Sequence, residues 1–328
     1  MTTRRFVLST VGISLLSKLE RDLYHAANAV ELPADMQSVA EKAARQALAQ
    51  LESASVAERR AMSAELNGLY GLYEDQLHLG QADAHFLLVT DTALGEMAGR
   101  VVEDFLRGEG WSQVSVQKPH KLSTATADDF SQGIKKLIEW CEKTIPGYQD
   151  AGYEIVFNLT GGFKILQGYL NIVGMFYADR MVYIFEAANE LLTIPRLPIE
   201  VSEAALRDHR VPLALMAEGD ALLPLDQVRD IPEGLWESIG HGAGISNWGL
   251  LAWNRVRRRI LSERLLNFPH LQYDDAFQRD FTKATVDERV DLQRALAQVS
   301  ALLTEHAGNV AALKQHTGLQ YDNYTNQY

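Results

Sequence analysis

The feature that most constrains this chain is a set of short, unbroken apolar runs separated by stretches with a helical period. Arg5 to Ser9, His85 to Thr90, Tyr153 to Phe157 and Met181 to Glu186 are each too short for a buried helix and lack polar alternation. Such runs read as strands buried on both faces. Trp111 to Gln117 alternates and reads as a further strand. Between the runs, apolar residues recur at helical spacing: Leu15, Leu16, Leu19 and Leu23; then Leu94, Met97, Val101, Val102 and Phe105, stopped by Gly108 and Gly110. The next stripe is Phe130, Ile134, Leu137, Ile138, Cys141 and Ile145, expected to end before Pro146-Gly147, and another helix is expected over Phe163 to Tyr177. Cys141 belongs to its stripe as a small buried apolar residue. Alternation of this kind predicts an α/β fold, a Rossmann-like and mostly parallel sheet with helices on both faces, over the first 190 or so residues. The stretch 35–79, rich in Ala, Glu, Leu and Arg, predicts two helices inserted between strands.

After Ile194 the prolines at 195, 198, 212, 224 and 232 punctuate short polar runs and predict a connector. A helix is expected from Trp248 to about Leu266, with Trp248 and Trp253 in a core. It carries Arg255, Arg257, Arg258, Arg259 and Arg264. These arginines either touch RNA or form a solvated face, and the acids around Glu263 favour the solvated face. A helix with Leu292, Leu296, Val299 and Leu303 on one stripe follows, then a strand over 318–324. The expected organisation is a Rossmann-like domain over 1–196, a helical connector over 197–265 and a partial α+β domain over 266–328.

The charge balance narrows the partners. Forty-three acidic residues against 31 basic ones give a net charge of −12. That disfavours sequence-blind nucleic-acid binding, so any anionic ligand must be attracted by a local field. The single cysteine excludes a disulfide framework and a cysteine-rich zinc site, and fits a reducing compartment. Thr3-Arg4-Arg5-Phe6-Val7-Leu8 imitates a twin-arginine export signal, but Lys18, Glu20, Arg21 and Asp22 interrupt the apolar stretch such a signal needs. No segment approaches the roughly 20 apolar residues of a membrane span. The expectation is a cytoplasmic protein without membrane contact.

In open α/β sheets ligands sit beyond the carboxyl ends of the strands, against helix N-termini. Three loops fall there. The first is Gly12-Ile13-Ser14 leading to Leu15, where the Ser14 hydroxyl either caps a helix or meets a ligand. The second is Thr90-Asp91-Thr92. The third, Asn158-Leu159-Thr160-Gly161-Gly162-Phe163-Lys164, joins paired glycines, a hydroxyl and a cation. A cation at a helix start is electrostatically misplaced unless an anion joins it. The competing reading of this loop is a turn whose glycines only permit packing. Neither G-x-G-x-x-G after the first strand nor G-x-x-x-x-G-K-[ST] is present, which removes ordinary dehydrogenases and P-loop enzymes.

The strand ending in Ser9-Thr10-Val11-Gly12-Ile13-Ser14-Leu15-Leu16, paired with Asn158 to Lys164 after a later strand, resembles the CRISPR-associated Rossmann fold (CARF) sensor domain over about residues 4–195. The resemblance implies a homodimer that binds cyclic oligoadenylate, here cyclic tetraadenylate, across its two-fold axis. It implies contacts from Gly12, Ile13, Ser14 and Leu15, and from Asn158, Thr160, Gly161, Gly162 and Lys164, with Thr90, Asp91 and Thr92 as further lining. Ile13 stands where a threonine is frequent, so one hydroxyl contact is lost. No cofactor and no metal are expected.

Phe277-Gln278-Arg279-Asp280-Phe281, the following helix, Leu313-Lys314-Gln315-His316 and Gly318-Leu319-Gln320-Tyr321 resemble the start of a RelE-type toxin, a ribosome-dependent messenger-RNA endoribonuclease. This implies the ribosome and mRNA as partners and Lys314 and His316 as candidate RNA-side catalytic residues; His316 reads equally as a plain surface residue, and the whole segment alternatively as a helical packing module. A RelE-like fold needs strands beyond Tyr324, so the sequence is expected to be a shortened form without the RNA-cleaving residues. Three functions stay open: a CRISPR effector with such a nuclease, a ligand-responsive transcription regulator, and a metal-independent ring nuclease in which Lys164, Ser14 and Thr160 cleave the cyclic ligand.

Overall fold

A computed structural model describes residues 3–185 and 190–315, and the chain divides by packing into two compact units, Met1–Ile199 and Glu200–Tyr328. The first unit is a Rossmann-like α/β fold. Its elements are β1 (Arg5–Thr10), α1 (Ser14–Ser17), a 3-10 turn (Arg21–Ala26), α2 (Ala34–Ser53), α3 (Val56–Met62), α4 (Ala64–Leu72) and a second 3-10 turn (Leu77–Gly80). There follow β2 (Ala84–Leu88), α5 (Ala93–Gly108), β3 (Val114–Gln117), α6 (Ala127–Asp150), β4 (Glu154–Asn158), α7 (Lys164–Tyr177), β5 (Arg180–Ile184) and β6 (Leu191–Pro195). The sheet order is β3-β2-β1-β4-β5-β6. The first five strands are parallel, and β6 runs antiparallel to β5.

The apolar runs form strands because helices cover both faces: Phe6, Val7, Leu8, Leu87, Leu88, Ile155, Val156 and Phe157 are all fully buried. One face rests on rings, with Phe6 stacked on Phe86 at 4.6 Å and met edge-on by Tyr148 at 5.0 Å. The sheet order reverses direction between β1 and β4, which register Ser9 opposite Asn158. This is the topological switch point, where α/β sheets open a crevice at their carboxyl edge.

Several expectations change. The insertion holds three α-helices rather than two, because Ser55 starts α3 through a capping box with Glu58, and Ser63 both ends α3 and caps α4. α6 runs through Pro146 to Asp150. Proline costs a helix interior about 3 kcal/mol, but the last turn seats Tyr148 against Phe6 and Phe86 and lets Gln149 Nε2 donate to the Tyr177 carbonyl at 3.1 Å. β3 starts at Val114, since Trp111 is instead buried with its indole N–H on the Leu77 carbonyl at 2.9 Å. β6, which the sequence pattern does not mark, is an edge strand that ends on Pro195, a position compatible with the missing N–H.

The second unit contains α8 (Glu203–Arg207), α9 (Arg210–Glu218), 3-10 turns at Leu225–Gln227 and Glu233–Leu235, and an antiparallel hairpin of β7 (Trp236–Ile239) and β8 (Gly242–Ile245). α10 (Asn247–Glu263), α11 (Asp275–Lys283), α12 (Val286–Glu305) and a 3-10 turn (Val310–Gln315) follow. α10 packs on α9 and α12, so the stretch read as a connector shares a core with the helices after 266. Trp253 is buried and donates to Glu218 Oε1 at 2.7 Å, and Arg294 Nε reaches Glu218 Oε2 at 2.7 Å. Trp248 is half-buried. Three arginines of α10 face acids: Arg257 pairs with Glu218 at 3.7 Å, Arg258 with Asp287 at 2.9 Å and Arg259 with Glu203 at 3.1 Å. Lys314 falls in the last 3-10 turn, while His316 and the strand expected over 318–324 lie outside the described residues. Among the described residues no helix is long and apolar enough to cross a membrane.

Candidate anion-binding site

At the switch point the loops after β1 and β4 touch. A Cβ built on Gly12 would lie 3.4 Å from Gly162 N. Gly162 has φ +86° and would press a side chain to within 3.0 Å of Thr10 Cβ, so glycine is required there by both conformation and space. Thr10 stitches the loops together, its hydroxyl donating to the Gly161 carbonyl at 2.5 Å. Asn158 is the buried post beneath them. Its amide donates to Ser9 Oγ at 3.2 Å and to the Glu65 carbonyl at 3.0 Å, while its oxygen accepts from the Thr160 N–H at 3.3 Å and the Thr160 hydroxyl at 2.8 Å.

What this scaffold presents is the start of α7. α3, α4, α5 and α6 each begin on a Ser or Thr whose hydroxyl accepts an N–H of the first turn. α7 begins on Phe163, with no side-chain cap and no acid in its first turn, and Lys164 stands exposed at its first position. Leading N–H groups and a lysine therefore point their partial and full positive charges to the same end. α1 begins likewise without a side-chain cap, on Ile13. Ser14 is its first helical residue, so its hydroxyl is not spent on closing the helix. Backbone amides, the Ser14 hydroxyl and one lysine can donate to an anion here, and a phosphodiester suits them, while the Thr160 hydroxyl gives its proton to Asn158 and offers only its oxygen.

The remaining expected residues have other work. Ile13 and Leu15 are buried in the core, so only their backbone can face a ligand. Thr90 and Thr92 are buried; the Thr92 hydroxyl caps α5 through Gly95 N at 3.1 Å and lies 3.0 Å from the Thr90 hydroxyl. Asp91 pins the loop between β3 and α6, accepting from Lys121 N at 2.8 Å and facing His120 Nδ1 at 3.1 Å and Lys118 Nζ at 3.5 Å. Burial alone would raise the Asp91 carboxyl, but the Lys121 amide and the Lys118 charge hold it below the usual carboxylate range.

The sequence reading missed Glu65. α4 lies against the third loop so closely that a Cβ on Gly68 would fall 2.1 Å from Asn158 Oδ1 and 2.6 Å from Thr160 Oγ1. One turn earlier, Glu65 is fully buried. A Cβ on Gly161 would lie 2.7 Å from both Glu65 Oε2 and the Thr10 carbonyl oxygen. Among the described residues, neither carboxyl oxygen of Glu65 has a hydrogen-bond partner. Burial pushes its carboxyl up to about 7, against the opposing pull of its own amide, the Ser63 hydroxyl, Lys18 and the Gly12 amide, none of which reaches hydrogen-bond geometry. The local signal for α4 was present in its serine cap and its glycines, but nothing in the sequence joins residue 65 to a loop so far along the chain.

A family model described as CRISPR-associated protein (Cas_APE2256) matches residues 60–197. The match spans α4, β2 to β6 and the loop that ends at Lys164, and it begins after the Gly12 loop. It suggests a CRISPR-related function.

Proposed function

We propose that the first unit is a sensor for cyclic oligoadenylate, with cyclic tetraadenylate as its ligand. The observation that carries this reading is the meeting of the Gly12 and Gly162 loops at the switch point, beside an α7 start that has a lysine and no cap. In a chain with a net charge of −12, a positive helix end open to solvent is useful chiefly to an anion. A ring of phosphates has internal symmetry, so two copies of the chain related by a two-fold axis can offer the same nest twice. Ile165 and Ile172, 53% and 44% exposed on α7, give a second copy an apolar face to cover beside Lys164. Calorimetry against cyclic tri-, tetra- and hexaadenylate, with the chain's mass in solution measured alongside, tests the reading. It predicts one tetraadenylate ring per dimer, and absence of binding to all three rings overturns it.

The same donor set supports slow cleavage of the ring. Ser14 and Thr160 would orient a ribose 2′-hydroxyl; as the 2′-oxygen bonds to the adjacent phosphorus its proton passes to solvent water, the bond to the 5′-oxygen breaks and that oxygen takes a proton from water to leave as a hydroxyl. The other end closes as a 2′,3′-cyclic phosphate, and Lys164 with the α7 amides would stabilise the charge that develops. The second unit is then the effector, a RelE-like endoribonuclease acting on ribosome-bound messenger RNA. The resemblance at Phe277 to Phe281 and Leu313 to Tyr321 supports that assignment. Messenger-RNA cleavage on translating ribosomes, stimulated by cyclic tetraadenylate, tests it.

A further inference from the structure

Glu65 has no part in the donor set just described, yet it lies directly under it. A buried carboxyl without a hydrogen-bond partner is costly when ionised, and it is relieved by a proton, a cation or a donor. The nearest cation does not serve it: Lys18 Nζ donates instead to the carbonyls of Ala61 and Met62, both at 3.2 Å. From the Gly12 loop, the third loop and the cap of its own helix, the Gly12 amide, the Gly161 backbone and the Ser63 hydroxyl face Glu65. Lys18 is the charged group whose field bears on it. A proton remains the available relief.

The position of Glu65 couples that proton to the site above. Gly161 lies against the carboxyl, so a phosphate held by Ser14, Lys164 and the first amides of α7 would add negative charge near Glu65 and favour its neutral form further. We propose that Glu65 is a positioning residue of the anion nest that takes up a proton when a phosphate-bearing ligand binds, so that the site binds anion and proton together. The proposal rests on the reading that the nest holds ligand phosphate. Linkage makes it reciprocal: whatever protonates Glu65 tightens the ligand, and the ligand raises the affinity of Glu65 for its proton. Because the free group titrates near 7, affinity should be level below that pH and fall above it, by up to about tenfold per pH unit per copy.

The experiment is calorimetry of the intact chain with cyclic tetraadenylate between pH 6 and 8.5, at each pH in two buffers of different ionisation enthalpy, which counts the protons taken up. The wild type should take up close to one proton per copy near pH 8 and bind at least tenfold more weakly at pH 8.5 than at pH 6. Glu65→Gln, which imitates the neutral acid, should bind at pH 8.5 about as tightly as the wild type at pH 6, and its proton count should drop by one per copy. If the ring binds but the wild type takes up no proton, or if Glu65→Gln keeps the wild-type pH profile, the proposal is overturned while the sensor reading stands. If no ring binds at any pH, both fall. The proton count needs no variant, so a poorly folding Glu65→Gln chain leaves the proposal testable.

Discussion

The two edges of one sheet use similar side chains to opposite ends. At the amino edge, where β1, β2 and β4 begin, most polar groups are tied into the fold, although His85 Nδ1 is buried without a hydrogen-bond partner among the described residues. Asp83 accepts from Arg5 N and from the Tyr73 hydroxyl, both at 2.8 Å; His85 Nε2 lies 3.0 Å from the Gly80 carbonyl; Glu154 pairs with Arg5 at 3.4 Å and Arg180 at 2.8 Å. His85 stacks on Trp111 with ring centroids 3.7 Å apart, and burial holds its imidazole neutral, pulling it down to about 3. At the carboxyl edge the scaffold beneath the loops is equally well bonded through Thr10 and Asn158, but the outermost groups are not. α7 lacks a cap, Lys164 stands exposed, and Glu65 is buried without a partner. An edge that holds only structure spends its polar groups on the protein, whereas donors left over on a rigid scaffold mark the edge that waits for a ligand.

If that contrast is real, the largest effects divide cleanly between stability and binding. Trp111→Ala removes a fully buried ring and leaves His85 without its stack, and large-to-small changes of this kind cost about 3–5 kcal/mol. Denaturant unfolding should show that loss, while ligand affinity measured below the new melting point stays within a fewfold of wild type. A loss of affinity as large as the loss of stability would erase the distinction between the edges.

Lys164→Ala is the reciprocal change. It removes one charge-assisted contact per copy, about 1.5–3 kcal/mol each, or roughly 10- to 100-fold in affinity per contact. Since Lys164 is exposed and sits at a helix start where its charge is unfavourable in the free protein, the melting temperature should hold or rise slightly. Unchanged affinity for cyclic tetraadenylate in this variant moves the anion site elsewhere.

Two buried titratable groups, Glu65 and His85, sharpen the comparison through pH. Glu65 is held up, from 4.5 to about 7, so its contribution is fully present below pH 4.5 and is lost as pH rises toward 7. His85 is held down, from 6.5 to about 3, so its contribution is present above pH 6.5 and is lost as pH falls toward 3. Between about pH 4.5 and 6.5 the two slopes oppose, each at most about 1.4 kcal/mol per pH unit. Wild-type stability should therefore be nearly level across that window, and Glu65→Gln should expose the His85 slope, losing stability as pH falls from 6.5 to 4.5. Parallel pH profiles for the two chains would show that one of these groups is relieved in solution.

Burial explains what the sequence could reveal. Strands covered on both faces declare themselves as apolar runs, so β1, β2, β4 and β5 were legible. β6 was not, because an antiparallel edge strand with Leu192 half in solvent and Pro195 at its end looks like a loop. The loops at Gly12 and Gly161-Gly162 were legible because glycine, hydroxyl and lysine lie next to one another in sequence. Glu65 was hidden because its setting is created by tertiary contact alone, and the commitment of Asp91 to Lys118, His120 and Lys121 was hidden for the same reason. The prolines after Ile194 suggested a connector, but Trp253 and Glu218 organise that stretch into a core, which proline spacing cannot foretell.

The smallest predicted effects are the most discriminating, because they compare one chemical group at the same carboxyl edge. Ser14 and Thr92 both carry a hydroxyl at a helix start following a strand. Thr92 accepts Gly95 N at 3.1 Å and closes α5, so Thr92→Ala should cost about 1 kcal/mol of stability, the ordinary value of a lost cap, and leave ligand affinity alone. Ser14 lies one residue inside α1, past the capping position, so Ser14→Ala should leave stability within about 0.5 kcal/mol of wild type. Its cost should fall on the ligand instead, about 0.5–1.5 kcal/mol per copy for one hydrogen bond, and more on the rate of ring cleavage than on affinity if the hydroxyl orients the attacking 2′-oxygen. The two variants thus cross, one moving the melting curve and the other the binding isotherm. Should both move the melting curve and neither the isotherm, the Gly12 loop is a packing turn, and the ligand chemistry must be carried by the loop from Asn158 to Lys164 alone.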